Sequence, residues 1–119
     1  MSESILKEKS FLFAIKIVKL CRNLRDDKQE YVLTKQLLRC GTSVGAMVRE
    51  AKNSESKADF QHKLGIAQKE CDESIYWLEL LCETNYTTEN EIAGIKSEAT
   101  ELLKMIRSSI ITSNSTKQQ

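Results

Sequence analysis

The sequence contains no proline and only four glycines among its 119 residues. A β-rich or loop-rich domain of this size needs more of both residues to build its turns. Hydrophobic residues make up 40% and charged residues 29% of the chain, which is typical of a globular protein. The composition therefore favours long helices with short polar connections, in a chain long enough for one core without cross-links.

Several kinds of functional site lack the residues that they require. The chain has one histidine, His62, so the two Glu-x-x-His pairs of a di-iron bundle cannot form. Cys71 lies between Glu70 and Asp72, whose charges disfavour a reactive thiolate. There is no glycine-rich phosphate loop and no G-x-S-x-G nucleophile elbow. We therefore predict no enzymatic activity, no catalytic residue, no metal site and no cofactor.

Cysteine and hydrophobic patterns also indicate the cellular environment. The four cysteines contain no CxxC spacing and lie among apolar residues, which favours reduced core cysteines: Cys21, Cys40, Cys71 and Cys82. The apolar run at residues 11–15 is too short to span a bilayer, and no signal-peptide pattern precedes it. We therefore expect a cytoplasmic protein with no membrane contact.

Apolar residues recur every three or four positions in four segments, the spacing of amphipathic helices. The predicted helices span residues 4–25, 31–52, 57–83 and 89–111. Three residue pairs resemble N-terminal caps: Asp27 with Glu30, Ser56 with Asp59, and Thr88 with Glu91. The predicted fold is all-α, an up-down-up-down antiparallel four-helix bundle over residues 1–112 with a polar C-terminal tail at 113–119. Two long helical hairpins are the main alternative.

The first helix has more apolar surface than one partner helix requires. One apolar stripe consists of Phe11, Ala14, Val18 and Cys21. It is widened by Phe13, Ile17, Leu20 and Leu24. In the third helix, Tyr76 and Trp77 are adjacent, so they cannot both face one core. We predict that one of them packs inside and the other meets a neighbouring subunit or solvent, rather than stacking on nucleic-acid bases.

The net charge of +1 conceals an asymmetry along the chain. Residues 1–57 carry 12 basic and 7 acidic residues, whereas residues 58–119 carry 6 and 10. A basic surface built by the first half would explain this, and so would charge complementarity between helices or subunits. The candidate phosphate-binding cations are Lys16, Lys19, Arg22, Arg25, Arg39, Arg49 and Lys52. The alternative is that these cations form ordinary solvated helix faces.

The stretch "LLRCGTSVGAMVREAKN", residues 37–53, contains two glycines inside a helical pattern. Gly41 and Gly45 together cost about 1–2 kcal/mol of helix stability relative to alanine. They share a face with Val44 and Val48, which leaves a shallow groove. We predict close helix packing at the two glycines, within the bundle or at an oligomer interface. The alternative is that the groove admits a partner chain or a ligand backbone.

The same stretch carries a family resemblance. "KQLLRCGTSVGAMVREA" followed by "SKADFQHKLGIAQKECDESIYWLELL" resembles the bacterial four-helix-bundle family named for proteins encoded in intervening sequences of 23S rRNA genes. The similarity extends over about residues 11–110 and includes Gln36, Arg39, Ser43, Glu50, Phe60, Tyr76 and Trp77. One departure is Met47, where the family pattern usually has asparagine.

The resemblance implies properties that the residues alone do not reveal. It implies a cyclic homo-oligomer, with a pentamer as the expected form, and a relationship to accessory proteins of the reverse transcriptases in diversity-generating retroelements. It brings a link to RNA but no established enzymatic activity. We therefore expect a non-enzymatic, ring-forming bundle that binds RNA or a nucleoprotein partner through a basic face. The alternative is a protein-interaction scaffold with no nucleic-acid role.

Overall fold

A computed structural model describes residues 2–116, which form four α-helices and no β-strand within that range. The helices are α1 (Ser2–Lys28), α2 (Val32–Lys52), α3 (Lys57–Glu83) and α4 (Glu89–Thr116). Helix α1 packs against α2 and α4, and α3 also packs against α2 and α4. In the diagonal pairs, α1 with α3 and α2 with α4, no Cα atoms lie within 8 Å of each other in the described range. The predicted up-down-up-down four-helix bundle is confirmed.

Two of the three predicted caps form as expected. At the start of α3, the backbone N–H of Asp59 donates to the hydroxyl oxygen of Ser56 over 3.0 Å. At the start of α4, the Glu91 N–H donates to the Thr88 hydroxyl over 3.2 Å, and the Glu91 carboxylate accepts from the Thr88 N–H over 2.8 Å. These bonds satisfy backbone donors that a helix leaves without partners in its first turn.

The predicted cap at Asp27 is wrong, because α1 continues past that residue to Lys28. Gln29 then adopts a left-handed backbone conformation with φ 54°, which ends the helix. The carboxylate of Glu30 accepts the N–H groups of the first three residues of α2, at 3.1, 3.0 and 2.8 Å. Glu30, which directly precedes Tyr31, therefore caps the start of α2 without help from Asp27.

The polar tail predicted at residues 113–119 begins inside a helix. Residues 113–116 continue α4, and residues 117–119 lie outside the described range. Polar side chains do not end a helix when the backbone hydrogen bonds can continue, because serine and threonine cost only a few tenths of a kcal/mol each.

The core contains apolar side chains from all four helices, the largest of which include Phe13, Ile17, Leu37, Leu78 and Ile106. All four cysteines are free thiols, as predicted, although Cys82 is only half-buried. Burial raises the pKa of Cys21 to about 11 and that of Cys71 to about 12. The Cys21 thiol donates to the Thr34 carbonyl over 3.6 Å, and the Cys71 thiol to the Ala99 carbonyl over 3.3 Å.

Candidate functional site

Gly41 and Gly45 lie where α1 and α2 approach each other. A Cβ atom on Gly41 would lie 2.8 Å from Cγ2 of Ile17, and one on Gly45 would lie 3.2 Å from the carbonyl oxygen of Ser10. Both distances are shorter than an ordinary van der Waals contact. The two glycines therefore allow a close approach between helices of the same chain, and this approach fixes which side of α1 faces outward.

The outward side of α1 carries a strip of apolar residues followed by two cations. We call this strip the α1 outer face: Phe11, Leu12, Ile15, Val18, Lys19 and Arg22. Phe11 is 53% exposed and Leu12 is 49% exposed, while Ile15 and Val18 are half-buried. Large apolar side chains this exposed, in adjacent turns of one helix, are typical of a surface that contacts another molecule.

The sequence pattern predicts only part of the α1 outer face. The wide apolar surface predicted for α1 includes Phe11 and Val18, but the prediction did not single out Leu12 or Ile15. The available signal was the offset between two sets of apolar positions: 13, 17, 21 and 24 inside, and 11, 12, 15 and 18 outside. Periodicity identifies both sets as apolar, but only the positions of α2 and α4 determine which set is buried.

The seven predicted phosphate-binding cations do not lie on one surface. Three of them have partners within the bundle: Lys16 pairs with Glu98, Arg39 with Glu70 and Glu73, and Arg25 with Thr34. Arg39 lies 3.1 Å from the Glu70 carboxylate and 2.6 Å from that of Glu73, so it joins α2 to α3. The Arg25 Nε–H donates to the Thr34 hydroxyl over 3.1 Å, which supports the turn between α1 and α2.

Part of the charge asymmetry along the chain therefore lies in contacts between helices. Five ion pairs between described residues join the first half of the sequence to the second, and in four of them the cation comes from the first half. The exception is Lys63 with Glu50. Charge complementarity between neighbouring helices, one of the two explanations of the asymmetry, accounts for this part of it.

The fold also sorts charge along the length of the bundle. We define the basic end as residues 4–14, 43–69 and 101–115, which surround the turn between α2 and α3. It carries nine lysines and arginines against five acidic residues, whereas residues 15–42 and 70–100 carry eight against eleven. Dividing the chain into halves does not reveal this difference in charge between the two ends, because every helix runs from one end of the bundle to the other.

Three cations at the basic end border one shallow recess. Lys7, Arg49 and Lys52 line it together with Phe11 and Glu8. The guanidinium of Arg49 lies 5.6 Å from the centre of the Phe11 ring, a cation–π contact. Among the described residues, none of these three cations has an ion-pair partner. Arg49 and Lys52 are members of the predicted set of phosphate-binding cations, whereas Lys7 is not.

The two other unpaired cations of the predicted set, Lys19 and Arg22, lie on the α1 outer face and away from this recess.

In α3, Trp77 is half-buried against the core, and its indole N–H donates to the Glu73 carboxylate over 2.9 Å. Tyr76 is 56% exposed, with its ring edge-on to that of Trp77 at 5.0 Å between centroids. Tyr76 is therefore the member of the pair that faces solvent, and its ring rests against the half-buried Trp77.

Comparison with known proteins assigns the chain to a family. Residues 2–108 match the family described as 23S rRNA-intervening sequence protein. The fold is similar to that of a crystal structure from Bacteroides thetaiotaomicron, described as a protein with unknown function from the S23 ribosomal protein family. The two chains are 45% identical with a TM-score of 0.91, over 92% of this chain and 98% of the other. No curated protein matches the sequence. Among the described residues, no helix is both long and apolar enough to cross a bilayer.

Proposed function

The chain belongs to the 23S rRNA-intervening sequence protein family, and we propose that it is a non-enzymatic cytoplasmic bundle that forms a ring and binds RNA, free or within a ribonucleoprotein. One observation carries the RNA-binding part of this proposal: Lys7, Arg49 and Lys52 surround one recess at the basic end and have no acidic partner among the described residues. Unpaired lysines and arginines on one surface attract phosphates, because their binding releases counterions from the nucleic acid.

Assembly into a ring would strengthen this attraction. Three cations make a weak patch, but a cyclic homo-oligomer repeats the patch once in each subunit and multiplies weak contacts along one RNA. The α1 outer face supports such assembly, because Phe11 and Leu12 are about half exposed in the single chain. The pentamer implied by the family resemblance is the oligomer that we propose.

RNA affinity measured against salt concentration tests the proposal. The logarithm of the association constant should fall linearly with the logarithm of salt concentration, by about 0.7–0.9 for each phosphate contact. Replacing Arg49 and Lys52 by alanine should reduce the slope by about 1.4–1.8 per bound subunit. The matched control replaces Lys28 and Lys35, two exposed cations at the opposite end, and should leave the slope unchanged.

Two results would contradict RNA binding through the basic end. The first is the absence of detectable binding at low salt, where phosphate attraction is strongest. The second is an equal loss of affinity in both double variants, because a surface that responds only to total charge has no site at Arg49 and Lys52.

The second candidate function is a protein-interaction scaffold, which the exposed ring of Tyr76 favours. Tyrosine is enriched at protein interfaces because its ring is apolar and its hydroxyl group can remain solvated. A partner that stays bound to the purified chain after nuclease treatment would favour this function. A partner that is lost with nuclease treatment would favour RNA.

A further inference from the structure

We infer that the α1 outer face of one copy packs against the outward side of α3 in a second copy, in a head-to-tail contact. The inference rests on the proposed assembly and names the two surfaces that form it. The outward side of α3, which we call the α3 outer face, comprises Lys69, Asp72, Tyr76, Glu79, Leu80 and Glu83. Each of these residues lies three or four positions from another member of the set, so they share one side of the helix.

The two faces are complementary in charge and in chemistry. Tyr76 is 56% exposed and Leu80 is half-buried, so the α3 outer face offers apolar surface to the apolar part of α1. Its three acidic residues, all exposed, exceed its one lysine, and Asp72 and Glu83 have no ion-pair partner among the described residues, while Glu79 pairs with Lys96 of α4 over 3.3 Å. The α1 outer face carries only cations, Lys19 and Arg22. Opposite charges beside apolar surface favour association and select the partner face.

The fold brings these charges to the same level along the bundle. Lys16 of α1 and Cys71 of α3 both contact the same turn of α4, through Glu98 and the Ala99 carbonyl respectively. Residue 16 of α1 is therefore level with about residue 71 of α3. Helices α1 and α3 run in the same direction and advance 1.5 Å per residue, so this offset of 55 holds along both helices.

The offset predicts which residues meet when two copies lie side by side with parallel axes. Lys19 and Arg22 are level with positions 74 and 77, between Asp72 and Glu79. Phe11 is level with position 66, next to Gly65, where no atom lies within 4 Å of the position of a Cβ. The cations thus meet carboxylates, and the exposed phenylalanine meets an open space.

A single chain cannot make this contact. Helices α1 and α3 occupy diagonal corners of the bundle, with no Cα atoms within 8 Å of each other among the described residues, so their outer faces point in different directions. A contact between two different faces of identical chains is head-to-tail. Such contacts close into a ring when each copy is rotated by a fixed angle relative to the next, and they extend into an open filament when the rotation does not close. A symmetric contact of α1 with α1 would instead bury the two cations without carboxylates and would leave Tyr76 exposed.

The test uses two variants that each disable one face. In the first, Leu12→Glu with Lys19→Glu places acidic residues opposite the acidic face of α3. In the second, Asp72→Lys with Tyr76→Lys places cations opposite Lys19 and Arg22. All four positions are exposed, so both variants should keep the circular dichroism of a helical bundle. If a double variant loses helix content, the single variants Lys19→Glu and Tyr76→Lys replace it.

Sedimentation velocity at micromolar concentration provides the readout. Each variant alone should sediment as the 13.6 kDa monomer. A mixture of the two should form a one-to-one dimer, because the first variant keeps an intact α3 outer face and the second keeps an intact α1 outer face. The matched control, Ser97→Glu with Lys104→Glu, makes similar changes seven residues apart on exposed positions of α4 and should assemble like the wild type.

Other outcomes separate the inference from the proposed assembly. A wild-type chain that sediments as a monomer would overturn both. An oligomeric wild type, combined with a variant mixture that stays monomeric, would overturn the head-to-tail pairing and leave the assembly intact. A first variant that assembles like the wild type would also overturn the inference.

Discussion

Helices α1 and α4 have similar positions in the bundle but very different outward surfaces. Each is more than 25 residues long and packs against two neighbours. The outward side of α4 carries small or polar exposed residues, which we call the α4 outer face: Asn90, Ala93, Gly94, Ser97, Thr100 and Lys104. At comparable levels, the α1 outer face carries phenylalanine, leucine, isoleucine and valine.

This difference shows that the position of a helix in the bundle does not determine whether its outward residues are apolar or polar. Both inner faces are closed, since Phe13 and Ile17 of α1 and Ala99 and Ile106 of α4 are fully buried. Over residues 90–104, the outward side of α4 contributes to solubility and exposes no large apolar group, whereas Ile111 further along the helix is exposed. The α1 outer face departs from this pattern, and we attribute the departure to contact with a second copy.

The largest expected effect concerns the inner side of α1, which fixes the orientation of its outer face. Gly41→Leu would force a side chain into Ile17, whose atoms lie 2.8 and 2.9 Å from the Cβ position. We expect the free energy of unfolding to fall by about 3 kcal/mol, as in severe overpacking. Urea unfolding measures the change. Gly94→Leu on the α4 outer face is the control, because no atom lies within 4 Å of its Cβ position.

A pH series tests whether the core is equally closed at Cys21 of α1 and at Cys71 of α3, whose thiol contacts the Ala99 carbonyl of α4. Burial raises the pKa of Cys21 to about 11 and of Cys71 to about 12, from an ordinary value of 9.0. Above pH 9 the unfolded chain loses these protons and the folded chain keeps them, so stability falls as pH rises. We expect a loss of about 1 kcal/mol for each thiol between pH 8 and 10. Replacing Cys71 by alanine should remove its share, and an unchanged pH dependence in that variant would contradict the burial of this thiol.

Replacing one exposed apolar residue on each helix compares the α1 outer face with the exposed end of α4. Phe11→Ser should raise the concentration at which the assembly dissociates by about tenfold, because aromatic residues contribute much of the energy at interfaces. Ile111→Ser removes an apolar residue of α4 that is 64% exposed and should leave that concentration unchanged. Analytical ultracentrifugation over a dilution series gives both values. Equal effects in the two variants would remove the distinction between the faces.

The smallest expected effect is a gain in stability. Gly94→Ala should raise the free energy of unfolding by about 0.5–1 kcal/mol, because alanine favours a helix and the site is open. Gly45→Ala should gain less or lose stability, since its new methyl group would lie 3.2 Å from the Ser10 carbonyl oxygen. Thermal unfolding of the two variants measures whether each substitution raises or lowers the stability. A loss of assembly in Gly94→Ala would indicate that the α4 outer face is also a contact surface.

Local sequence signals predict the helices and two of their caps, because these depend on residues a few positions apart. Ser56 and Thr88 satisfy the first turns that follow them. The turn at Glu30 differs, because the same three-residue spacing allows either a capping box at Asp27 or a cap by Glu30 alone. The backbone conformation of Gln29 decides between these arrangements, and the sequence pattern does not reveal it.

The candidate surfaces depend on how the helices are placed in space. The charges at positions 16, 19 and 22 are equally spaced in the sequence, yet Lys16 pairs with Glu98 of α4 while Lys19 and Arg22 have no ion-pair partner among the described residues. The basic end brings together positions from separate helices, such as Lys7 and Lys52. Periodicity within one helix cannot predict such groupings, because they depend on the relative levels of the helices.

The mass of the unmodified chain in solution shows whether a second copy covers the α1 outer face. Light scattering or sedimentation equilibrium at micromolar concentration should give a single species at a multiple of 13.6 kDa, with five copies as the proposed number. A species of 13.6 kDa that persists as the concentration rises would contradict the account, because the exposed apolar strip would then have no partner copy.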